Sequence, residues 1–354
     1  MISARAVPAD LNFSVAICTL NRRAYLERAV SAVLNQLRDF PNGRLIVIDN
    51  GSTDSTPEYL ASVKAANRQF DAAAEPRQGL YYARARAIGN AAGEFLIFLD
   101  DDAVPKPGWL NGILETLLSA PDVGVVGCSI EPIWEGERPE WLSDRLAREI
   151  PIYQVESPDS PGRFPSFPAG ISLGIRVNEC ARLYIGPERR TEYPLGRKGT
   201  PADGRAYQMV GGEDNDLCEI YARNGYRVLF TNRACVGHAV SPERLKPEWY
   251  LRKYRSEGHL RIRLSRLTGR PPVNNDSIKM LAGLPVFALL RPVHRLFRPA
   301  SALLFEAYYA KCLGAWKELL AGERPGALPY DARSLKGRAP GPAASSGDRG
   351  EATT

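Results

Sequence analysis

Short apolar runs alternate with longer amphipathic ones through the first third of the chain. Phe13–Cys18, Arg44–Ile48, Asp71–Ala74, Phe95–Leu99 and Val123–Ile130 each read as a strand. The run Phe95–Leu99 has no polar residue on either parity, the mark of a strand covered on both faces. Between the runs the period changes to that of a helix. Tyr25, Leu26, Ala29, Val30, Val33 and Leu34 share one stripe, and helices are predicted through Leu60–Ala65, Gly79–Ala92 and Trp109–Leu118. Thr53 or Asp54 is placed to cap the helix through Leu60–Ala65. Such alternation predicts an α/β fold with a doubly wound, mostly parallel central sheet.

The pattern then weakens. Prolines at 132, 139, 151, 158, 161, 165 and 168 break the stretch from Glu131 to Tyr207 into loops and short pieces, with one strand expected over Ala169–Val177. Long irregular stretches of this kind often cover a site. Gly211-Gly-Glu-Asp-Asn-Asp216 opens a helix that carries Leu217, Ile220 and Tyr221 on one face and stops at Gly225. Two extended pieces follow, Tyr226–Phe230 and Ala234–His238. Beyond Ser241 the chain is predicted helical to about Leu320. The expected organisation is an N-terminal extension (1–12), an α/β domain (13–240), a basic and apolar helical extension (241–325) and a disordered tail (326–354).

Composition narrows the class. The six cysteines are scattered with no Cys-x-x-Cys pair, which argues against a zinc site or disulfide framework and fits a reducing compartment. The N-terminus lacks the apolar core of a signal peptide, and no window approaches the 18–20 apolar residues of a membrane span. Net charge is +6, but Arg244–Arg298 alone holds 13 Lys and Arg against three acids. That block suits an anionic surface or substrate, and charge alone does not choose which. Nucleic acid is disfavoured because no recognised binding module accompanies the charge.

The chemistry collects at strand ends. Asp100, Asp101 and Asp102 close the central run, where open α/β sheets bind ligands. Three adjacent carboxylates repel one another, so a fold that gathers them is expected to supply a cation, and oxygen ligands suit Mg²⁺ or Mn²⁺ together with a phosphate. An acidic surface loop that caps the next helix would look the same in isolation. Further polar clusters fall at Thr19–Arg22, at Asp49–Asp54 and at Glu213–Asp216.

In order and context these clusters resemble glycosyltransferase family 2, whose members have the Rossmann-like GT-A fold. The resemblance rests on Val15-Ala-Ile-Cys-Thr-Leu-Asn-Arg22, Ile46-Val-Ile-Asp-Asn-Gly-Ser-Thr-Asp54, Gly79-Leu-Tyr-Tyr-Ala-Arg-Ala-Arg86, Gly93-Glu-Phe-Leu-Ile-Phe-Leu-Asp-Asp-Asp102 and Gly212-Glu-Asp-Asn-Asp-Leu217 with Gly225-Tyr-Arg-Val228. It runs from about residue 13 to 260, and implies that 13–240 is the catalytic domain, with 13–105 its nucleotide-binding half and 106–240 its acceptor-binding half. It implies that Thr19, Asn21, Arg22, Asp49 and Gly79 line the donor nucleotide pocket, with Asp49 toward the base. Arg84 and Arg86 would approach the diphosphate, and Asp100 the ribose. Asp101 would orient the loop beside the nucleotide. Asp102 and His238 would hold Mn²⁺ or Mg²⁺. Asp214 would be the general base, and Glu213, Trp109, Gly170 and Gly212 would face the acceptor.

The implied activity is an inverting, metal-dependent transfer of a sugar from a nucleotide diphosphate, most often UDP, to a glycan or lipid-linked hydroxyl. Residues 244–305, where Trp249, Tyr250, Leu251 and Tyr254 alternate with Arg252, Lys253 and Arg255 and where Ile278–Phe305 is apolar with interspersed Arg, suit an anionic membrane surface, so a cytoplasmic protein peripheral on the inner face of the plasma membrane is expected. Two alternatives stand beside this. A sugar-phosphate nucleotidyltransferase would want a glycine-rich phosphate loop after the first strand, where this chain has Thr19-Leu-Asn-Arg-Arg23. A non-catalytic nucleotide-sugar-binding protein has no need of Asp102 and Asp214.

Overall fold

A computed structural model describes residues 6–147, 149–157, 160–161, 167–186, 212–267, 282–290 and 299–320. Residues 187–207 of the expected loop region, 268–281 and 291–298 of the expected helical extension, and the expected tail over 326–354 lie outside the described residues.

The alternation read from the sequence is present: β1 (Phe13–Thr19), α1 (Arg23–Leu37), β2 (Gly43–Asp49), α2 (Thr56–Ala66), β3 (Phe70–Ala74), α3 (Leu80–Asn90) and β4 (Phe95–Asp100). Then follow β5 (Ala103–Pro105), α4 (Trp109–Leu118), β6 (Val123–Trp134), α5 (Asp144–Ala147), β7 (Ser160–Pro161), β8 (Ser172–Arg176), α6 (Glu179–Ile185), α7 (Glu213–Arg223) and β9 (Arg227–Val240). A 3-10 turn, Pro242–Leu245, leads to α8 (Pro247–Leu267), α9 (282–290) and α10 (Pro299–Leu320).

One sheet runs in the order β3-β2-β1-β4-β8-β6-β9-β5, with β7 beside β9. The first four strands are parallel, as expected. Beyond β4 the sheet is mixed: β8 is antiparallel to both β4 and β6, and β6 and β9 are parallel. The apolar runs are continuous because both faces are covered. Val15, Ile17, Leu45, Val47, Phe95, Ile97 and Leu99 point to a cluster with α1 and α4, and Ala16, Ile46, Ile48, Leu96 and Phe98 to one with α3, α6 and α7.

Three features depart from the sequence reading. β5 is only three residues long, too short to leave a periodic signal. The pieces expected at Tyr226–Phe230 and Ala234–His238 are one strand, β9; a bulge between Cys128 and Ser129 of the partner register, opposite Thr231 and Cys235, absorbs the polar interruption. β6 continues past Ile130 to Trp134 despite Pro132.

Among the C-terminal helices, α8 and α10 pack backbone to backbone. A Cβ on Gly258 would lie 2.0 Å from Lys311 O, and one on Gly314 2.0 Å from Arg255 O. Glu149 ties this pair to the domain by accepting from Lys253 Nζ (2.8 Å) and Tyr254 Oη (2.7 Å). No described helix is long and apolar enough to cross a membrane.

The turn from α3 into β4 passes directly against the start of β1. Gly93 has φ +87°, and a Cβ there would sit 1.9 Å from Asn12 O. Gly51 has nearly the same φ, +88°, with nothing within 4 Å. Gly51→Ala is expected to cost about 1–2 kcal/mol from backbone strain alone, and Gly93→Ala clearly more. Urea unfolding of the two variants checks this; equal losses would contradict the close approach.

Candidate active site

The sheet brings the polar strand ends to one rim. β1 and β4 pair so that Cys18 lies beside Asp100, and β1 and β2 so that Thr19 lies beside Asp49. Asp101 and Asp102, just past β4, are buried, while the Asp100 side chain keeps 24 % of its exposure. Three carboxylates at this spacing require positive partners or shared protons. Thr19 Oγ1 donates to Asp101 Oδ2 (2.8 Å). Arg22 spans the other two contacts, Nη1 to Asp101 Oδ1 (2.8 Å) and Nη2 to Asp102 Oδ2 (2.9 Å). Its guanidinium also lies over the Tyr25 ring at 4.7 Å, and Tyr25 donates to Glu135 at the far end of β6 (2.5 Å).

β5 completes the cluster. Its antiparallel register sets Ala103 opposite His238 of β9, which draws the buried His238 ring to Asp102, Nε2 to Oδ2 being 3.6 Å. Ala239 N–H donates to the Asp102 carbonyl (2.9 Å) and fixes this approach. Arg244, from the 3-10 turn, donates to Asp102 Oδ2 (3.0 Å) and lies 2.7 Å from His238 Nε2.

Burial works against the Asp102 charge, yet the guanidinium groups of Arg22 and Arg244 hold its carboxyl well below the usual range. Asp101 goes the other way: burial, only partly opposed by Arg22 and reinforced by Asp102, pushes it up to about 6. Asp102 is therefore the ionised member and Asp101 the first to take a proton.

The candidate base sits on the same rim. Asp100 N–H donates to Ile171 O (2.9 Å), and the adjoining Gly170 N–H donates to Asp214 Oδ2 (2.9 Å). Asp214 opens α7 behind Gly212, whose φ of +111° makes the tight entry that glycine permits. Glu213 beside it is buried. Between them runs Arg84, which donates to Gly170 O (3.0 Å) and lies 3.6 Å from both Asp100 and Glu213. Burial would lower its pKa, but Glu213, Asp100 and Asp214 hold it up, so it stays charged.

Several expected roles change. Trp109 does not face an acceptor: it is fully buried, and its indole N–H donates to Ser172 Oγ (2.8 Å). Arg84 does not lie open to a diphosphate; its side chain is 3 % exposed and its charge serves Asp100 and Glu213. Gly170 leaves room for that guanidinium, since a Cβ would sit 2.3 Å from Arg84 Nη2. Asn21, at φ +53°, turns its carbonyl oxygen to the N–H groups of Thr53 (2.6 Å) and Asp54 (3.3 Å), clamping the loop after β2. Asp49 accepts from Ser52 N–H (2.9 Å). Gly79 N–H donates to Asn50 Oδ1 (2.8 Å), and Asn50 also donates to the Glu75 and Arg77 carbonyls, making it a loop organiser that sequence reasoning passed over. Arg244 was missed as well, being one basic residue among 13 in its segment.

Among the described residues no three His, Cys, Asp or Glu side chains are grouped to hold a metal. Asp102 and His238 do offer one carboxylate and one imidazole in reach of a single ion, the donor set Mn²⁺ accepts, with phosphate oxygens and water left to complete it.

Residues 14–176 match the family model for Glycosyl transferase family 2. The chain is 22% identical over 247 residues to a glucosyl-dolichyl phosphate glucuronosyltransferase of Haloferax volcanii, covering 68% of this chain and 72% of that protein. It is 26% identical over 252 residues to the succinoglycan biosynthesis protein ExoM of Rhizobium meliloti, covering 70% and 73%. A solved mannosyltransferase from Pyrobaculum calidifontis, in complex with GDP-Man and Mn²⁺, superposes with a TM-score of 0.54 at 19% identity over 91% of each chain, so the two share the GT-A fold.

The raised Asp101 carboxyl gives a pH test. Its proton is held in the fold and released on unfolding, so its contribution is complete below pH 3.8 and is lost as pH rises through about 6. Asp101→Asn should flatten the stability curve in that window, measured by urea unfolding at stepped pH. An unchanged slope would place the proton elsewhere.

Proposed function

Because residues 14–176 match the model for glycosyl transferase family 2, we propose that this chain's rim of carboxylates binds a nucleotide-diphosphate sugar and transfers the sugar, with inversion, to an acceptor hydroxyl. The observation that carries this reading is the bridge Asp100–Ile171–Gly170–Asp214, which sets the candidate base on the same rim as the aspartate cluster. UDP is the proposed nucleotide, Asp49 meeting the base and Asp100 the ribose. A Mn²⁺ or Mg²⁺ ion on Asp102 and His238 would supply Lewis-acid neutralisation of the leaving diphosphate.

The chain's own groups do the rest. Arg22 faces the diphosphate from the Asp101 and Asp102 side. Asp214 takes the acceptor proton: an alcohol is a weak nucleophile, and a carboxylate within hydrogen-bond reach removes its proton as attack proceeds. The Gly170 N–H fixes the orientation of that carboxylate, and Arg84 holds Glu213 and Asp100 on either side. A single displacement by one activated hydroxyl inverts the anomeric centre.

A screen of nucleotide sugars with Mn²⁺, read by nucleotide release and product mass, tests the reading. One donor should turn over, and Asp214→Asn should lower its turnover about 100-fold or more while donor binding persists. Release from no nucleotide sugar would overturn the proposal.

For the acceptor we propose a lipid-linked glycan met at an anionic membrane. α9 contains no charged residue; Leu284 and Phe287 pack toward Ile262, Cys312 and Ala315, and Val286 (54 %) and Leu289 (77 %) stand exposed. An apolar helix face inside a segment of 13 basic residues against three acids has the chemistry of an interfacial anchor. The full chain should co-sediment with vesicles containing phosphatidylglycerol and not with purely zwitterionic ones. The double substitution Val286→Glu and Leu289→Glu should weaken this about tenfold or more. Equal binding by the double variant would exclude that face.

A further inference from the structure

The seat proposed for the metal is already bridged by a guanidinium. Arg244 lies 2.7 Å from His238 Nε2 through Nη1 and 3.0 Å from Asp102 Oδ2 through Nη2, and those two acceptor atoms are themselves 3.6 Å apart. Arginine only donates, so His238 Nε2 accepts and its proton is on Nδ1. A neutral imidazole has one acceptor lone pair, the same pair a metal bond would use. Asp102 Oδ2 is in the same condition: Arg22 Nη2 at 2.9 Å and Arg244 Nη2 at 3.0 Å occupy both of its lone pairs. Bonding to Arg244 and bonding to a metal are thus alternatives at each atom.

Position gives the order of events. The Asp102 side chain is 2 % exposed, and those of its two cationic partners, Arg244 and Arg22, are 12 % and 33 % exposed, so the carboxylate is out of water while both of its cations reach solvent. A dication approaching alone meets two positive charges. A diphosphate approaching meets two guanidinium forks that match its oxygens in pairs.

We propose that Arg244 is a resident counter-cation that keeps the seat between Asp102 and His238 closed until a diphosphate draws it away, so that metal enters together with the donor and not ahead of it. This rests on the donor reading above. Arg244 stands in for the metal in the resting chain and is a diphosphate ligand in the loaded one. Arg244 lies on the short turn Pro242–Leu245, beyond the end of β9.

The test is Mn²⁺ binding to the full chain, followed by the loss of the free-ion electron paramagnetic resonance signal, alone and with UDP or GDP. The unsubstituted chain should bind Mn²⁺ weakly alone and clearly more tightly with a nucleoside diphosphate. Arg244→Gln should tighten Mn²⁺ binding without nucleotide by about tenfold or more, since one opposing charge and both competing hydrogen bonds are gone. Arg244→Lys, which keeps the charge but not the paired donors, should fall between, and adding His238→Ala to Arg244→Gln should abolish the gain. Equal Mn²⁺ affinity of the unsubstituted chain and Arg244→Gln without nucleotide would overturn the inference. If neither UDP nor GDP binds at all, the donor reading fails, and the nucleotide-free comparison still reports on Arg244.

Discussion

The arrangement depends on how three consecutive carboxylates are kept together at the end of a buried strand. Left alone, Asp100, Asp101 and Asp102 would repel one another, and two of them are out of water. The chain resolves this with groups from widely separated segments. Thr19 and Arg22 arrive from the first strand end, and Arg84 from α3. His238 and Arg244 arrive from the last strand and the turn beyond it. Each carboxylate receives a different share: Asp102 is ionised among cations, Asp101 is pushed toward protonation, and Asp100 stays partly in solvent. One repeated residue type therefore acquires three different chemistries.

Most of the frame was legible because its physics is local or periodic. The apolar parity of β1, β2 and β4 reports two covered faces, and the polar residues that end each strand mark the rim. The first turn of α7, with Gly212 before Glu213 and Asp214, was readable for the same reason. What escaped depends on contacts distant in sequence. β5 has three residues, yet its pairing with β9 decides that His238 meets Asp102. The bulge in β9 hid a continuous strand behind Asn232 and Arg233.

Side-chain roles were harder to read than elements. A helix arginine is ordinarily solvated, so nothing in the sequence marked Arg84, expected to approach the diphosphate, as buried. Its burial becomes intelligible only once Gly170, Asp100 and Glu213 are seen around it. Trp109 offers an aromatic face and an N–H, as a sugar platform would, but that N–H is satisfied by Ser172 inside the core. Asn21 belongs to a motif suggestive of nucleotide binding, and its side chain instead holds a neighbouring loop. Arg244 had no motif at all. It is set apart from the other basic residues by the strand register just before it.

That last placement matters for how the protein is divided. The α/β sheet ends at Val240, the natural point at which to cut the catalytic domain away from its helical appendage. A chain shortened there would keep every recognisable motif and every strand. It would also lose a guanidinium that neutralises Asp102, together with Tyr250, whose ring helps close the cluster around Leu142 and Val240. The apparent appendage is in this sense a wall of the site.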